Sequence, residues 1–331
     1  MRALIVGLGS IGRRHLANMR LIDPNAHITV WDQESRLPDC REYLSPEDRF
    51  VSRLEDALAA QPEVALISSP SPLHVEAGME LAQQGAHLFI EKPLSNNLDG
   101  VDELIDRCRK RLLVLLVGYN FRFYQPLQVV RQALQDGRIG RVLSTRAEVG
   151  QYLPDWRPAG DYSQSVSAKS ELGGGALLEL SHELDYVRWL VGEIQTVSSQ
   201  IGRLSDLDID VEDTAEIILH FCNGAIGSVH LDMIQRAATR YCRIIGTEGT
   251  ITWDGGSHQV RLFSSLTKAW VDLHPAQSID RNDMYLRELR HFLDCVRGVS
   301  EPVTSGEEGR RVLQIALAAR QSSIEQRVVR L

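Results

Sequence analysis

The first fifteen residues, MRALIVGLGSIGRRH, limit what this chain can fold into more than any other stretch. Residues 3–6 form a short apolar run, and Gly7, Gly9 and Gly12 follow as G-x-G-x-x-G where a strand should turn into a helix. Each glycine has its own reason. Gly7 permits the tight turn, Gly9 leaves room for a pyrophosphate, and Gly12 lets helix and strand pack closely. The free N–H groups at the helix start, around Ser10 and Ile11, are then available to phosphate oxygens. A second apolar run, residues 28–31, ends at Asp32, twenty residues beyond Gly12, where an acid meets the adenosine ribose of a dinucleotide. A glycine-rich turn in some other α/β protein is the plain alternative, and it leaves the placement of Asp32 unexplained.

Composition fits a folded protein of more than one domain. The chain has 331 residues, 43% of them apolar, enough for two cores. A net charge of -8 argues against a nucleic-acid footprint. The five cysteines, Cys40, Cys108, Cys222, Cys242 and Cys295, show no C-x-x-C spacing, which predicts reduced thiols in a cytoplasmic protein and no metal site. The N-terminus lacks the long apolar core of a signal peptide, and residues 112–117 make only a strand-length run, so no membrane partner is expected.

The first part keeps a strand and helix rhythm: strands at 64–67, 87–90 and 112–117, with helices near 54–60, 74–84 and 98–110 between them. In such a parallel sheet the functional loops lie beyond the carboxyl ends of the strands. Residues 68–74, 91–93 and 118–123 should therefore share one crevice with the glycine loop, with Ser69, His74, Glu91, Lys92 and Asn120 as candidates for cofactor contact. Beyond about residue 120 the rhythm changes. A helix at 125–135, a strand at 142–150 and a long polar segment, 151–172, lead to a helix at 176–190. Strand-like runs follow at 196–201, 214–221, 225–233, 241–245, 251–253 and 260–263, then helices at 284–296 and 307–323. Neighbouring strands with short turns predict a mostly antiparallel open sheet. The expected class is α/β: a dinucleotide-binding domain over 1–120, then an α+β substrate-binding and oligomerisation domain over 121–331, whose last helices have room to pack back on the first domain.

The G-x-G-x-x-G start, the loop ending in His74, Glu91-Lys92-Pro93, the Gly118-Tyr119-Asn120 and Arg122 stretch, the Gly173-Gly174-Gly175 run before a histidine-bearing helix and the Gly246-Thr247-Glu248-Gly249 turn are spread over nearly the whole chain. Together they resemble the glucose-fructose oxidoreductase, inositol dehydrogenase and rhizopine-catabolism (Gfo/Idh/MocA) family. The resemblance implies a Rossmann domain, a nicotinamide cofactor, a carbohydrate-like small-molecule substrate, and a homodimer or homotetramer built through the C-terminal sheet. It also implies that Lys92 lies near the nicotinamide and the substrate hydroxyl, with a cis bond to Pro93. His182 matches the catalytic histidine. Here the chain departs from the family, which carries an aspartate four residues upstream. This chain has Glu179 at three, and it keeps Asp185 three residues downstream. Three or four residues put both side chains on one helix face, so Glu179 is expected to orient His182 as a proton acceptor. Asp185 is a supporting partner or a helix-surface acid.

Substrate candidates are Arg122, Tyr152, Trp156 and Arg157: an arginine suits a carboxylate or phosphate, and an aromatic ring stacks on a sugar face. The same loop residues equally serve to tie the segment down. Residues 152–157 and 181–186 are similar to a branch of the family associated with surface-polysaccharide and nonulosonic-acid sugars. The expected reaction is hydride transfer between NAD(P) and a secondary hydroxyl or keto group of a sugar, polyol, sugar acid or nucleotide sugar. Two alternatives stand beside it: transient oxidation by a held cofactor during elimination or glycoside cleavage, and a dinucleotide-binding sensor without turnover. Asp32 favours NAD, while Arg13, Ser35 and Arg36 leave NADP open.

Overall fold

The computed structural model describes every residue except Arg157 and Ala159. The chain forms two compact units, Met1–Asn120 with Asn282–Arg311, and Phe121–Arg281 with Val312–Leu331.

In the first unit six parallel strands, β1 (Arg2–Val6), β2 (His27–Trp31), β3 (Arg49–Val51), β4 (Val64–Ile67), β5 (His87–Ile90) and β6 (Leu115–Val117), lie in the order β3-β2-β1-β4-β5-β6. The helices are α1 (Ser10–Ile22), α2 (Leu37–Cys40), α3 (Leu54–Ala59), α4 (His74–Gln83) and α5 (Val101–Lys110). The order reverses between β1 and β4, which puts their following loops at a topological switch point. All four residues of β4 are buried, as expected for a strand covered on both faces. Leu16 and Met19 of α1, Phe89 of β5, and Leu289, Phe292 and Leu293 of the helix Asn282–Val296 belong to one core cluster. The last predicted strand is shorter than its apolar run. Leu112 has φ 56° and is 89% exposed, and Leu113 N donates to Cys108 O, so residues 112 and 113 close helix α5 before β6 begins.

The second unit is built on a nine-stranded sheet, in the order β14-β13-β12-β11-β7-β10-β9-β8-β15. Its strands are β7 (Val142–Gly150), β8 (Ile194–Gly202), β9 (Thr214–Phe221), β10 (Ile226–Asp232), β11 (Thr239–Gly246), β12 (Gly249–Asp254), β13 (Val260–Ser264), β14 (Ala269–His274) and β15 (Val329–Arg330). β7 and β10 pair in parallel, and the other neighbours are antiparallel. Period-two patterning sets the faces: Ala215, Ile217, Leu219 and Phe221 of β9 are buried, while Glu216, Ile218 and His220 point outward. The helices of this unit are α6 (Gln125–Gln135), α7 (Ala176–Glu179), α8 (His182–Val191) and, from Val312 onward, the long helix Gly306–Glu325.

One expectation is corrected here. Residues 176–190 are two helices, because ψ 23° at Leu180 and ψ -8° at Ser181 turn the chain out of the helical ladder. Glu179 therefore ends α7 and His182 begins α8, so the shared helix face inferred from their spacing does not exist. Before α7 the chain makes four short 3-10 turns, Leu153–Trp156, Tyr162–Gln164, Val166–Ala168 and Ser170–Leu172. No helix among the described residues is long and apolar enough to cross a membrane.

Candidate active site

The glycine turn follows β1. Gly7 has φ 81°, and a Cβ on Gly12 would lie 2.0 Å from Gly7 O, so neither position admits a side chain without rearrangement. Gly9 faces open space, with nothing within 4 Å of where its Cβ would be. Asp32 closes the turn from β2: Oδ2 accepts from Leu8 N and Oδ1 from Gln33 N, both at 2.7 Å. Ser10 is exposed and Ile11 half-buried at the start of α1. The loop after β4 lies against this turn, since a Cβ on Gly7 would meet Ser69 N at 3.0 Å. The hydroxyls of Ser68, Ser69 and Ser71 and the Oδ1 of Asn120 are buried without a hydrogen-bond partner. Buried polar atoms of this kind call for a ligand or water. Open space at Gly9, helix N–H groups at Ser10 and Ile11, the Asp32 carboxylate and these unpaired oxygens fit a dinucleotide.

Two sequence candidates, His74 and Glu91, make contacts within the protein that brace their loops. His74 is 1% exposed, with Nε2 2.7 Å from Ser69 O and Nδ1 3.1 Å from Pro93 O. Two carbonyl neighbours favour a charged ring and burial opposes it; burial is the larger effect and lowers the pKa. With both nitrogens turned to backbone, His74 ties the Ser69 loop to the Lys92-Pro93 loop. Glu91 is 8% exposed. Its Oε1 lies 2.6 Å from His15 Nε2 and its Oε2 accepts from Lys92 N at 3.2 Å, so it too braces its loop. Lys92 is half-buried at the carboxyl end of β5, and the Lys92–Pro93 peptide is cis.

In the second unit, the run before α7 ends at Gly175, whose φ is 103° and whose Cβ would fall 2.4 Å from Glu212 Oε1. Glu179 accepts from Ser167 Oγ at 3.1 Å. His182 is half-buried at the first position of α8, with its ring edge-on to Phe121 at 4.9 Å. The guanidinium of Arg240 lies 4.6 Å from the same Phe121 ring and pairs with Glu183, Nε to Oε1 2.8 Å.

Asp185 is not on the surface, and the buried Arg122 is turned to it. They form a buried bidentate pair, with Arg122 NH2 2.6 Å from Asp185 Oδ1, because the fully buried carboxylate needs a paired cation. Tyr152 carries the guanidinium of Arg236 at 3.5 Å from its ring centre, and Trp156 Nε1 donates to Gln151 O at 3.1 Å. These contacts hold the loop down and leave Trp156 half-buried. Arg157 lies outside the described residues. Sequence reasoning missed His15, Glu183 and Arg240. His15 carried a signal in retrospect, since it follows Gly12 by three residues, on the helix face turned toward the sheet.

Two family models cover almost the entire chain: the oxidoreductase family NAD-binding Rossmann fold over residues 1–119 and the oxidoreductase family C-terminal alpha/beta domain over 131–331. The chain belongs to the Gfo/Idh/MocA oxidoreductase family. It is an NAD-dependent oxidoreductase family, and the first unit contains its NAD-binding fold. Myo-inositol 2-dehydrogenase of Thermotoga maritima is 29% identical over all of this chain and 98% of the relative. The WlbA dehydrogenase of Bordetella pertussis, solved with NADH and UDP-GlcNAcA, superposes with a TM-score of 0.85 at 25% identity, covering 100% of this chain and 98% of the other. Levoglucosan dehydrogenase in complex with NADH shares the fold, with a TM-score of 0.89 at 21% identity over 100% and 98% of the two chains.

Proposed function

We propose that this oxidoreductase moves a hydride between NAD and a secondary hydroxyl or keto group of a sugar, polyol, sugar acid or nucleotide sugar. NAD, when bound, supplies the hydride acceptor. Gly9, Ser10, Ile11, Asp32, Ser69 and Asn120 hold the dinucleotide. Lys92 hydrogen-bonds the substrate oxygen as the hydroxyl becomes a carbonyl. His182 accepts the proton that leaves that oxygen.

The observation that carries the reading is the placement of Lys92. It follows β5 on a loop braced from both sides, Glu91 to His15 and Pro93 O to His74, so a flexible ammonium starts from a fixed base. The named relatives support a carbohydrate-like substrate.

The test is turnover of NAD+ with a panel of myo-inositol, levoglucosan and UDP-GlcNAcA, followed by NADH absorbance and by mass analysis of the products. Oxidised product with equimolar NADH is expected from at least one compound. Product of unchanged oxidation level without NADH would move the reaction to transient oxidation, and tight NADH binding with no product from any compound would leave a sensor.

A further inference from the structure

His15 is fully buried on α1, the helix whose first turn carries the glycine motif. Its ring packs edge-on against Phe89 of β5 at 4.9 Å, which sets its orientation. Nε2 lies 2.6 Å from Glu91 Oε1, and the other oxygen of that carboxylate accepts from Lys92 N at 3.2 Å. The remaining ring nitrogen, Nδ1, is buried without a hydrogen-bond partner. An N–H stranded there would cost more than a lone pair, so the proton belongs on Nε2, donating to Glu91.

We propose that His15 is a positioning residue for Lys92, acting through Glu91. The inference rests on the role given to Lys92 above, while the positioning itself is a separate claim about backbone geometry. A carboxylate as buried as Glu91 needs its donors. Without His15 the oxygen Oε1 is short of one, the carboxylate turns toward another donor, and Lys92 N loses its acceptor. Displacement of a reacting group by about 1 Å costs on the order of 10²-fold in rate, so a partial loosening should cost about tenfold. The arrangement also makes one rigid element serve two ends: the N-terminus of α1 would meet the dinucleotide phosphates, and His15, its sixth residue, fixes the base of the lysine.

The test compares His15→Leu, which fills the space without a donor, with His15→Gln, which restores one. Hydrogen exchange of the amides of Glu91, Lys92 and Leu94, the N–H groups of residues 91–94, is measured on the protein alone, after thermal melting shows that each variant is folded. Turnover is measured with NAD+ and the panel compound of highest kcat/KM. In His15→Leu, exchange at 91–94 should rise about tenfold with strands β1 and β4 unchanged, and kcat should fall about tenfold with the KM for NAD+ within about twofold. His15→Gln should recover most of both losses, which a simple packing role would not give. In a Lys92→Met background, His15→Leu should cost kcat no more than about twofold. Unchanged exchange at 91–94 in folded His15→Leu, failure of His15→Gln to rescue, or a full cost persisting without Lys92 would overturn the proposal. Normal turnover by Lys92→Met alone would instead sink the role of the lysine and leave the exchange result standing.

Discussion

Arg122 and Asp185 form a bidentate ion pair inside the second unit, with Nε and NH2 at 3.1 and 2.6 Å from Oδ1 and side-chain exposures of 3% and 0%. The pair links the chain just after Asn120 to helix α8, three residues beyond His182. Removing one partner of a buried pair typically costs about 3–5 kcal/mol, because the other charge stays buried. Arg122→Met should therefore lower the melting temperature strongly while leaving the substrate KM of the folded enzyme within about twofold. Normal melting with a large rise in KM would return Arg122 to the substrate.

Lys92→Met and His182→Ala address the chemistry. Each should lower kcat by about 10²-fold or more, with NADH affinity nearly unchanged, since general acid-base and polarising groups act mainly in the transition state. The two should differ in pH response: loss of His182 removes a proton acceptor, so part of its activity should return as hydroxide rises, whereas Lys92→Met should stay low. Normal kcat in both variants at saturating cofactor and substrate would refute these roles.

His230 on β10 lies between Glu216 and Asp232, with Nδ1 2.6 Å from Glu216 Oε1 and Nε2 2.8 Å from Asp232 Oδ2. The hydrogen bond that His230 donates to Asp232 is the largest influence; burial works against it, the Glu216 bond adds to it, and the pKa is pushed up to about 9. A pKa raised on folding gives stability that is complete below the unfolded value of about 6.5 and is lost as pH rises through the folded value. Wild type should thus melt above His230→Gln at about pH 6, with the gap closing by about pH 10. A gap that widens toward alkaline pH would contradict this.

The fold was readable where local rules agree. Gly7, Gly9, Gly12 and Asp32 mark a strand, turn and strand whose spacing only one kind of sheet satisfies, and alternation along residues 214–221 sets the sheet faces without tertiary information. The break at Leu180 was not readable, because leucine and serine both sit comfortably in helices and the turn arises from their backbone angles. Spacing also could not say which polar residues are spent on one another. His74 and Glu91 stand in the right loops, yet carbonyl oxygens and His15 take their polar atoms. Residues 269–274 escaped notice because AWVDLH is mostly exposed on the edge strand β14, where no buried face enforces a pattern.

Cofactor choice turns on Asp32. Its two oxygens accept from Leu8 N and Gln33 N, so the carboxylate is fixed beside the glycine turn and is not free to swing aside. A 2'-phosphate placed there would meet a like charge in a half-buried setting. Arg13, one candidate to neutralise a phosphate, is engaged elsewhere: Nε donates to Leu8 O, NH1 donates to Tyr43 Oη, both at 3.1 Å, and the guanidinium covers the Tyr43 ring at 4.2 Å. Arg36 lies on the 3-10 turn Glu34–Arg36, and its charge is felt at the buried thiol of Cys40, which burial first and then Asp32 push up and Arg36 pulls down. Moving Arg36 to a phosphate would cost side-chain entropy. NADH should therefore bind more tightly than NADPH by about 2 kcal/mol, more than tenfold in Kd. Calorimetric titration of cofactor-free protein measures this directly, and equal or tighter NADPH binding would reject it. Asp32→Ala should narrow the gap chiefly by improving NADPH binding; a ratio unmoved by that substitution would mean that another group sets the preference.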